Sequence, residues 1–438
     1  MSEFKISISE GQNKRLLTGG KYCPNDILIA AENHTAIKKK DVNFYDYDGT
    51  VLYSYTLTEV QALAELPPSP TPPRDFLEFD EWNWTLEQIQ SVGAPVDVGA
   101  VYRPVDGYTR AVLDITNTLL SDVTVHIQTW HYEDLLLPVA IVDWGDGEQT
   151  ELFHETHGAA GHTLHHKYQS IGTYTIKIIN SSTFDLSLNT ESTPFIGNGA
   201  ATTILKEFYQ GDASRLTTYG LFNQTGLKFF FANKKQSKLW GQAVRNNYSL
   251  KAVILPSSFT EIGAYCFAND PSVNVVSLPY HLTNMEYDCL SGINATRLTI
   301  PPKVTDVYAG TMRTLQSLHF TGTVTTLGSN VVDGSCALPE IHLPESISTI
   351  ETAALRNCYS LVEFVIPPSV TSIDAQALYN CTSLKRLVFR ASTPPNVSNA
   401  NAFTGIPADC VVEVPSEALT VYQEATNYAP IAAQMLGV

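Results

Sequence analysis

From Leu250 to Val414 the apolar and polar positions keep returning to one trace, Leu-x-x-Leu-x-Leu. Its cleanest copies are Leu338-x-x-Ile341-x-Leu343, Leu361-x-x-Phe364-x-Ile366 and Leu384-x-x-Leu387-x-Phe389, each 23 residues after the last. The alternating final pair predicts a short strand buried on one side, and a period in the twenties predicts one coil of a stacked solenoid. The same final position is filled by Leu255, Leu278, Ile300 and Phe320 upstream and by Val414 downstream, with steps of 20 to 25 residues, so eight coils are expected. A proline follows most strands (Pro256, Pro279, Pro301, Pro344, Pro367, Pro415), where a residue without an N–H ends pairing at little expense. Two further apolar columns recur in each coil, one through Ile262, Met285, Val307, Leu327, Ile350 and Ile373, the other through Phe267, Leu290, Met312, Val332, Leu355 and Leu378. Three inward lines cannot bury themselves in one coil but form a continuous core when coils stack.

Ahead of the repeats the pattern changes. Phe4-x-Ile6-x-Ile8 and Asp26-Ile-Leu-Ile29, separated by Gly19-Gly20, predict a small β segment over residues 1–40. Residues 41–107 predict a small α/β module. Its Asp48-Gly49 pair between Val42–Asp46 and Thr50–Tyr55 is a hairpin signal. Leu57–Leu66 reads as a short helix, Pro67–Pro73 as an extended turn, and Thr85 as the cap of a second helix. Residues 108–192 alternate at Thr109–Ile115, Val123–Ile127 and Ala140–Trp144, and again at Gly172–Ile178, which predicts a β-rich unit. Residues 200–438 hold the repeats with terminal caps: Leu216–Phe231 for the first coil, and a helix from Ser416, its cap, to Met435 for the last. The fold class is therefore mainly β and multidomain.

Three resemblances sharpen this reading. Leu361-x-x-Phe-x-Ile-Pro-Pro-Ser-Val-Thr-Ser-Ile373 with Ala377-Leu378-Tyr-Asn380-Cys381-x-x-Leu384 resembles the BspA-type leucine-rich repeats that bacteria display on surface proteins and that occur in prophage-encoded proteins. Val142-x-Trp144-Gly-Asp-Gly147 with His166-x-Tyr168-x-x-x-Gly172-x-Tyr174-x-Ile176 resembles the PKD-like immunoglobulin-type sandwich, which implies a rigid spacer. The stretch from Asp46-Tyr-Asp-Gly-Thr50 through Trp82-Asn-Trp84 to Gly99–Tyr102 is similar to a module found ahead of such repeats in tail-region proteins of prophages from gut Firmicutes. Together they imply a phage tail-associated or bacterial surface protein.

Charge narrows the partners. With 27 Lys plus Arg against 44 Asp plus Glu, a net charge of −17 argues against nucleic acid, and the basic run Lys38–Lys40 reads as the border of a linker. The chain shows neither a secretory leader nor an apolar stretch able to cross a bilayer, so no membrane insertion is expected, and a virion component that leaves by lysis reconciles this with display outside the cell. The seven cysteines are odd in number, and Cys358 and Cys381 share one repeat column, which predicts buried thiols rather than a disulfide framework.

Candidate chemistry is sparse. Asp46-x-Asp48-Gly49-Thr50 matches a phosphatase trace without the later elements that chemistry needs, and is read as a turn. Trp82 and Trp84 can grip a glycan or pack against the proline run, and packing is the preferred reading. Seven of the eleven histidines fall between His126 and His166, but the flexible Gly158-Ala-Ala-Gly161 and the lack of a nearby cysteine argue for loop histidines over zinc. Asp143, Asp146 and Glu148 read as a turn rather than a calcium site. No catalytic residue, metal or cofactor is expected. A binding face remains: the outward strand positions Ile254, Ser277, Thr299, His319, His342, Val365 and Val388, with Lys385 and Arg386 beside them. The expected function is non-enzymatic adhesion or receptor binding to a cell-surface protein or glycan, with other phage tail proteins as further partners. A structural virion or surface component and a carbohydrate-active enzyme are the alternatives.

Overall fold

The computed structural model describes residues 38–117, 121–131, 138–153, 158–180, 184–186, 195–197 and 203–438. The expected β segment before residue 38 and the pair His154 and His157 lie outside the described residues.

The first module is a four-stranded sheet in the order β2-β1-β4-β3, built from β1 (Val42–Tyr45), β2 (Val51–Tyr55), β3 (Leu77–Trp82) and β4 (Val96–Pro104). Asp46 to Thr50 makes the expected hairpin turn, with Gly49 at φ 85° and the Asp48 carboxylate accepting from the Thr50 N–H. Asp46 accepts from the Tyr102 hydroxyl at 2.5 Å, so the phosphatase-like trace serves a half-buried turn. Two short helices, α1 (Leu57–Gln61) and α2 (Leu86–Val92), each start with a capping box, Thr56 with Glu59 and Thr85 with Gln88. The first is shorter than its apolar pattern predicts. Trp82 donates to the Pro67 carbonyl at 3.1 Å and sits in a core with Phe44 and Phe79. Lys40 is tied into the module by an ion pair with Glu59 at 2.7 Å.

Two sheets follow that contribute to one core. β5 (Thr109–Ile115), β10 (Gly172–Asn180), β7 (Ala140–Asp143) and β8 (Gln149–Leu152) run antiparallel in one. In the other, β6 (Asp122–His131) pairs along its length with β9 (Gly158–Lys167), and also with β11 (Phe184–Leu186) and β12 (Ile196–Gly197). Alternation explains the core: Leu113, Val125, Val142 and Ile178 point between the sheets and are buried. The turn after Trp144 forms as its residues require. Gly145 has φ 80° and faces the Thr175 backbone so closely that a Cβ would fall 2.6 Å from its oxygen. Trp144 and Tyr168 are buried, His166 stacks on Trp144 with ring centres 4.6 Å apart, and its Nε2 lies 2.7 Å from the Asp146 carboxylate. Burial opposes ionisation of Asp146, but that hydrogen bond and the Glu148 N–H outweigh it and hold the carboxyl below its usual range.

The expected spacer is built into the end of the solenoid. β13 (Leu205–Tyr209) pairs antiparallel with β5 on one side and parallel with β15 (Phe229–Phe231) on the other, while β14 (Ser214–Leu216) extends the second sheet by pairing with β11. Both sheets thus lead into the coils. β13 and β15 are two rungs ahead of the eight read from the repeats, and a last strand, Met435–Gly437, adds one behind Val411–Val414. The second apolar column forms its own parallel ladder of eight two-residue strands, from Lys238–Leu239 to Asn396–Val397. Phe267, Leu290, Met312, Val332, Leu355 and Leu378 of the third column are all buried.

The C-terminal helix is shorter than its composition predicts. Ser416–Ala418 is a 3-10 turn without a side-chain cap, and α3 covers only Leu419–Glu424. The backbone turns left-handed at Asn427, Pro430 keeps the segment before it from continuing as α-helix, and only a 3-10 turn, Ala432–Gln434, follows. What closes the last coil is aromatic: Tyr422 and Tyr428 pack on Phe389 and donate to the carbonyls of Ala391 and Pro395.

Candidate functional site

The strand ladder is the natural place for a partner, and its upstream half already has one. β4 crosses the rungs Ala252–Ile254, Val275–Ser277 and Arg297–Ile300. Gly99 of β4 makes room for Ile254, which packs with Tyr45, Val101 and Val275. The buried Asn83 amide donates to the Leu255 carbonyl at 3.0 Å and to the Ser277 hydroxyl at 2.9 Å, while its oxygen accepts from the Gly99 N–H at 2.8 Å. Ser277 donates in turn to the Asp97 carbonyl at 2.7 Å, and Thr299 to the Pro95 carbonyl at 2.9 Å. Trp84 donates to the Leu278 carbonyl at 2.7 Å and meets Tyr280 edge-on, so neither tryptophan of the Trp-Asn-Trp motif is presented to a glycan.

An ion pair anchors the same surface. Arg297 lies 2.7 Å from the Asp97 carboxylate and also donates to the carbonyls of Lys40 and Asp41. Burial pushes the Asp97 carboxyl up, and Arg297, Asn43 and Lys39 offset that only in part. Asn83, Asp97 and Arg297 escape a repeat-based reading because nothing in their spacing marks them. The one signal is a polar Arg297 and a buried-type Gly99 where each local pattern asks for something else.

The face is thereby shortened. Ile254, Ser277 and Thr299 are 8%, 0% and 6% exposed beneath the module and cannot meet a second partner while it is docked. His319 sits at the module's edge, where Ala94, Gln316, Phe320, Glu340 and His342 line a notch with it. Burial, then the nearby Arg297, pushes its imidazole down to about 4. Beyond the notch the wall is open. The His342 side chain is 84% exposed, Val365 is half-buried, and Val388 is buried among its neighbours. Parallel register sets Glu340, Glu363 and Arg386 in one row. Arg386 grips Glu413 through two nitrogens at 2.7 and 2.9 Å and also bonds Glu363, while Lys385 pairs with Asp409 at 2.8 Å.

Among its described residues the histidine-rich hairpin offers no competing centre. Three of its histidines bond hydroxyls across β6 and β9: His126 with Thr163 and His165 with Thr124 as directly opposed pairs, and His162 with Thr129 off the register. Among the described residues no group of three His, Cys, Asp or Glu is placed to hold a metal, and no helix is long and apolar enough to cross a membrane. Five described cysteines, Cys266, Cys289, Cys358, Cys381 and Cys410, are buried free thiols.

Residues 212–312 and 309–407 match the family model for the BspA type leucine rich repeat region, with six copies. Solved structures to which the chain is similar include a leucine-rich repeat protein from Bacteroides ovatus (18% identity, 52% of this chain and 76% of that one, TM-score 0.27). Others are a leucine rich cell surface protein from Faecalibacterium prausnitzii (15%, 55% and 89%, TM-score 0.27) and the pneumococcal vaccine antigen PcpA (14%, 50% and 74%, TM-score 0.30). No curated protein matches the chain.

Proposed function

We propose that this chain, whose residues 212–407 are a BspA-type leucine-rich repeat domain, is a non-enzymatic adhesion or receptor-binding protein that recognises a protein or glycan displayed on a cell surface. The observation that carries the reading is the division of the strand face. Upstream rungs are sealed by a built, hydrogen-bonded interface, whereas beyond His319 the same ladder presents exposed charged and imidazole groups. A row of side chains on stacked strands suits an extended partner better than a small molecule. The two-sheet unit before the solenoid is read as a PKD-like sandwich, and residues 41–107 as the front module of a phage tail-associated protein. A structural component with no ligand of its own is the competing reading.

The test is retention of the full chain by intact bacterial cells and by purified cell-wall glycan. We expect His342→Ala with Arg386→Ala to reduce retention by about tenfold or more, as loss of a central polar anchor does, at unchanged melting temperature. Retention that survives both changes removes the strand face from the proposal, and no retention on any surface favours the structural reading. Presence of the protein in purified virions tests the tail assignment separately.

A further inference from the structure

A second surface of the solenoid carries aromatic side chains that its architecture does not require. After each strand of the second ladder the chain makes a turn, and most coils place a residue with positive φ there: Gln242, Asn330, Ala353 and Gln376, at 58 to 60°. Small or polar residues therefore suffice. Yet each of four consecutive coils puts one ring at this turn, namely Trp240, Tyr265, Tyr287 and Tyr308, Tyr219 takes the corresponding place after β14 one coil earlier, and the turns Gly328–Asn330, Glu351–Ala353 and Asp374–Gln376 put none. Tyr219 and Tyr265 themselves occupy the left-handed position, at φ 64° and 56°, a costly place for a bulky side chain.

The rings are held but not hidden. Trp240 remains 48% exposed and Tyr287 40%. Tyr265 meets Tyr287 edge-on at 5.7 Å, the Tyr308 ring lies over Gly328, and its hydroxyl donates to Glu351 at 2.9 Å. Gln242 and Asn330 donate to the hydroxyls of Tyr219 and Tyr287. Side chains fixed in this way lose little freedom when a ligand covers them.

We propose that this ridge is a platform for an extended, uncharged β-linked polysaccharide, distinct from the strand face. Coils stack at about 4.7–4.9 Å, a spacing commensurate with one sugar residue of such a chain. A pyranose offers an apolar C–H face to a ring and hydroxyls at its rim, and the rings here are interleaved with the amide of Gln242 and the carboxylates of Glu286 and Asp288. Anionic polymers are disfavoured, because the chain carries −17 and the cations at the ridge, Lys238 over Trp240 and Arg245 over Tyr265, are engaged by Glu261 and Gln242. A proline-rich peptide also seeks aromatic rings, but it docks in apolar grooves rather than along a carboxylate-edged ridge.

The experiment measures retention of the full chain on insoluble chitin, cellulose and an uncharged β-1,3-glucan, with immobilised poly-L-proline alongside. We expect retention on at least one polysaccharide. The variant W240A/Y265Q/Y287S should lose it by about tenfold or more, while its melting temperature is unchanged or raised, since Gln already serves at this turn in other coils. Should the triple variant be unstable, Tyr287→Ser alone reads the same loss at an exposed ring with an unstrained backbone. No retention on any of the three, retention indifferent to the substitutions, or capture by poly-L-proline alone overturns the proposal.

Discussion

Gly99 lies directly beneath Ile254: a Cβ built on the glycine would fall 2.3 Å from the Ile254 Cγ2 methyl. The front module reaches the strand ladder only because this position lacks a side chain. Gly99→Ala is expected to destabilise the protein by about 1–3 kcal/mol, the usual penalty of overpacking. Adding Ile254→Ala should return part of that loss. Denaturation midpoints of the single and double variants check both statements.

Asp97 is buried and Arg297 half-buried, so removing the cation strands the carboxylate. Arg297→Met leaves Asp97 without its cation and is expected to cost about 3–5 kcal/mol. Combining it with Asp97→Asn should recover a substantial part, because no charge then remains buried. A thermal denaturation series on the cycle measures the coupling.

Asp270 gives the fold a pH dependence of definite sign. Its carboxyl is fully buried, accepts only from the Asn247 N–H, and has one oxygen without a partner, so burial pushes its pKa well above the usual range. A carboxyl with a raised folded pKa binds more protons folded than unfolded, so stability falls as pH rises from about 4 through the folded value. Asp270→Asn should flatten this slope and raise the melting temperature at pH 7, because an amide also offers a donor to the unpartnered Asn247 oxygen. Unfolding curves between pH 4 and 8 decide it.

His319 should remain neutral well below the range in which an ordinary histidine charges, its imidazole being pushed down to about 4 by burial and by Arg297. The depressed value means its contribution to stability is complete above about 6.5 and declines as pH falls from there toward 4. NMR titration of the ring should give a midpoint near 4, and proteolysis at the module's edge should increase over the same interval.

The solenoid was legible because stacking imposes one rule on every coil. Leu343, Ile366 and Phe389 must each point inward at the same place, so the period appears in the sequence without help from distant residues. The turn at Asp48-Gly49 and the Thr85 cap were legible for the same local reason. Docking of the module was not. Asn83 bonds Ser277 across 194 residues, and neither identity nor spacing announces that partnership. Outward alternation assigns Ile254, Ser277 and Thr299 to the strand face, but it cannot tell a face open to solvent from one covered by another part of the chain. The helix after Ser416 was over-read because composition hides where Tyr422 and Tyr428 must turn to seal the last coil.

Because β13 belongs at once to the preceding sheet and to the first rung of the ladder, the two units share hydrogen bonds instead of a tether. The first coil therefore stacks on an edge that is already hydrogen-bonded, as the end of a solenoid requires. The shared strand also leaves no pivot between the two units: a pull applied at the front of the molecule is delivered to the far coils as a load on one continuous beam.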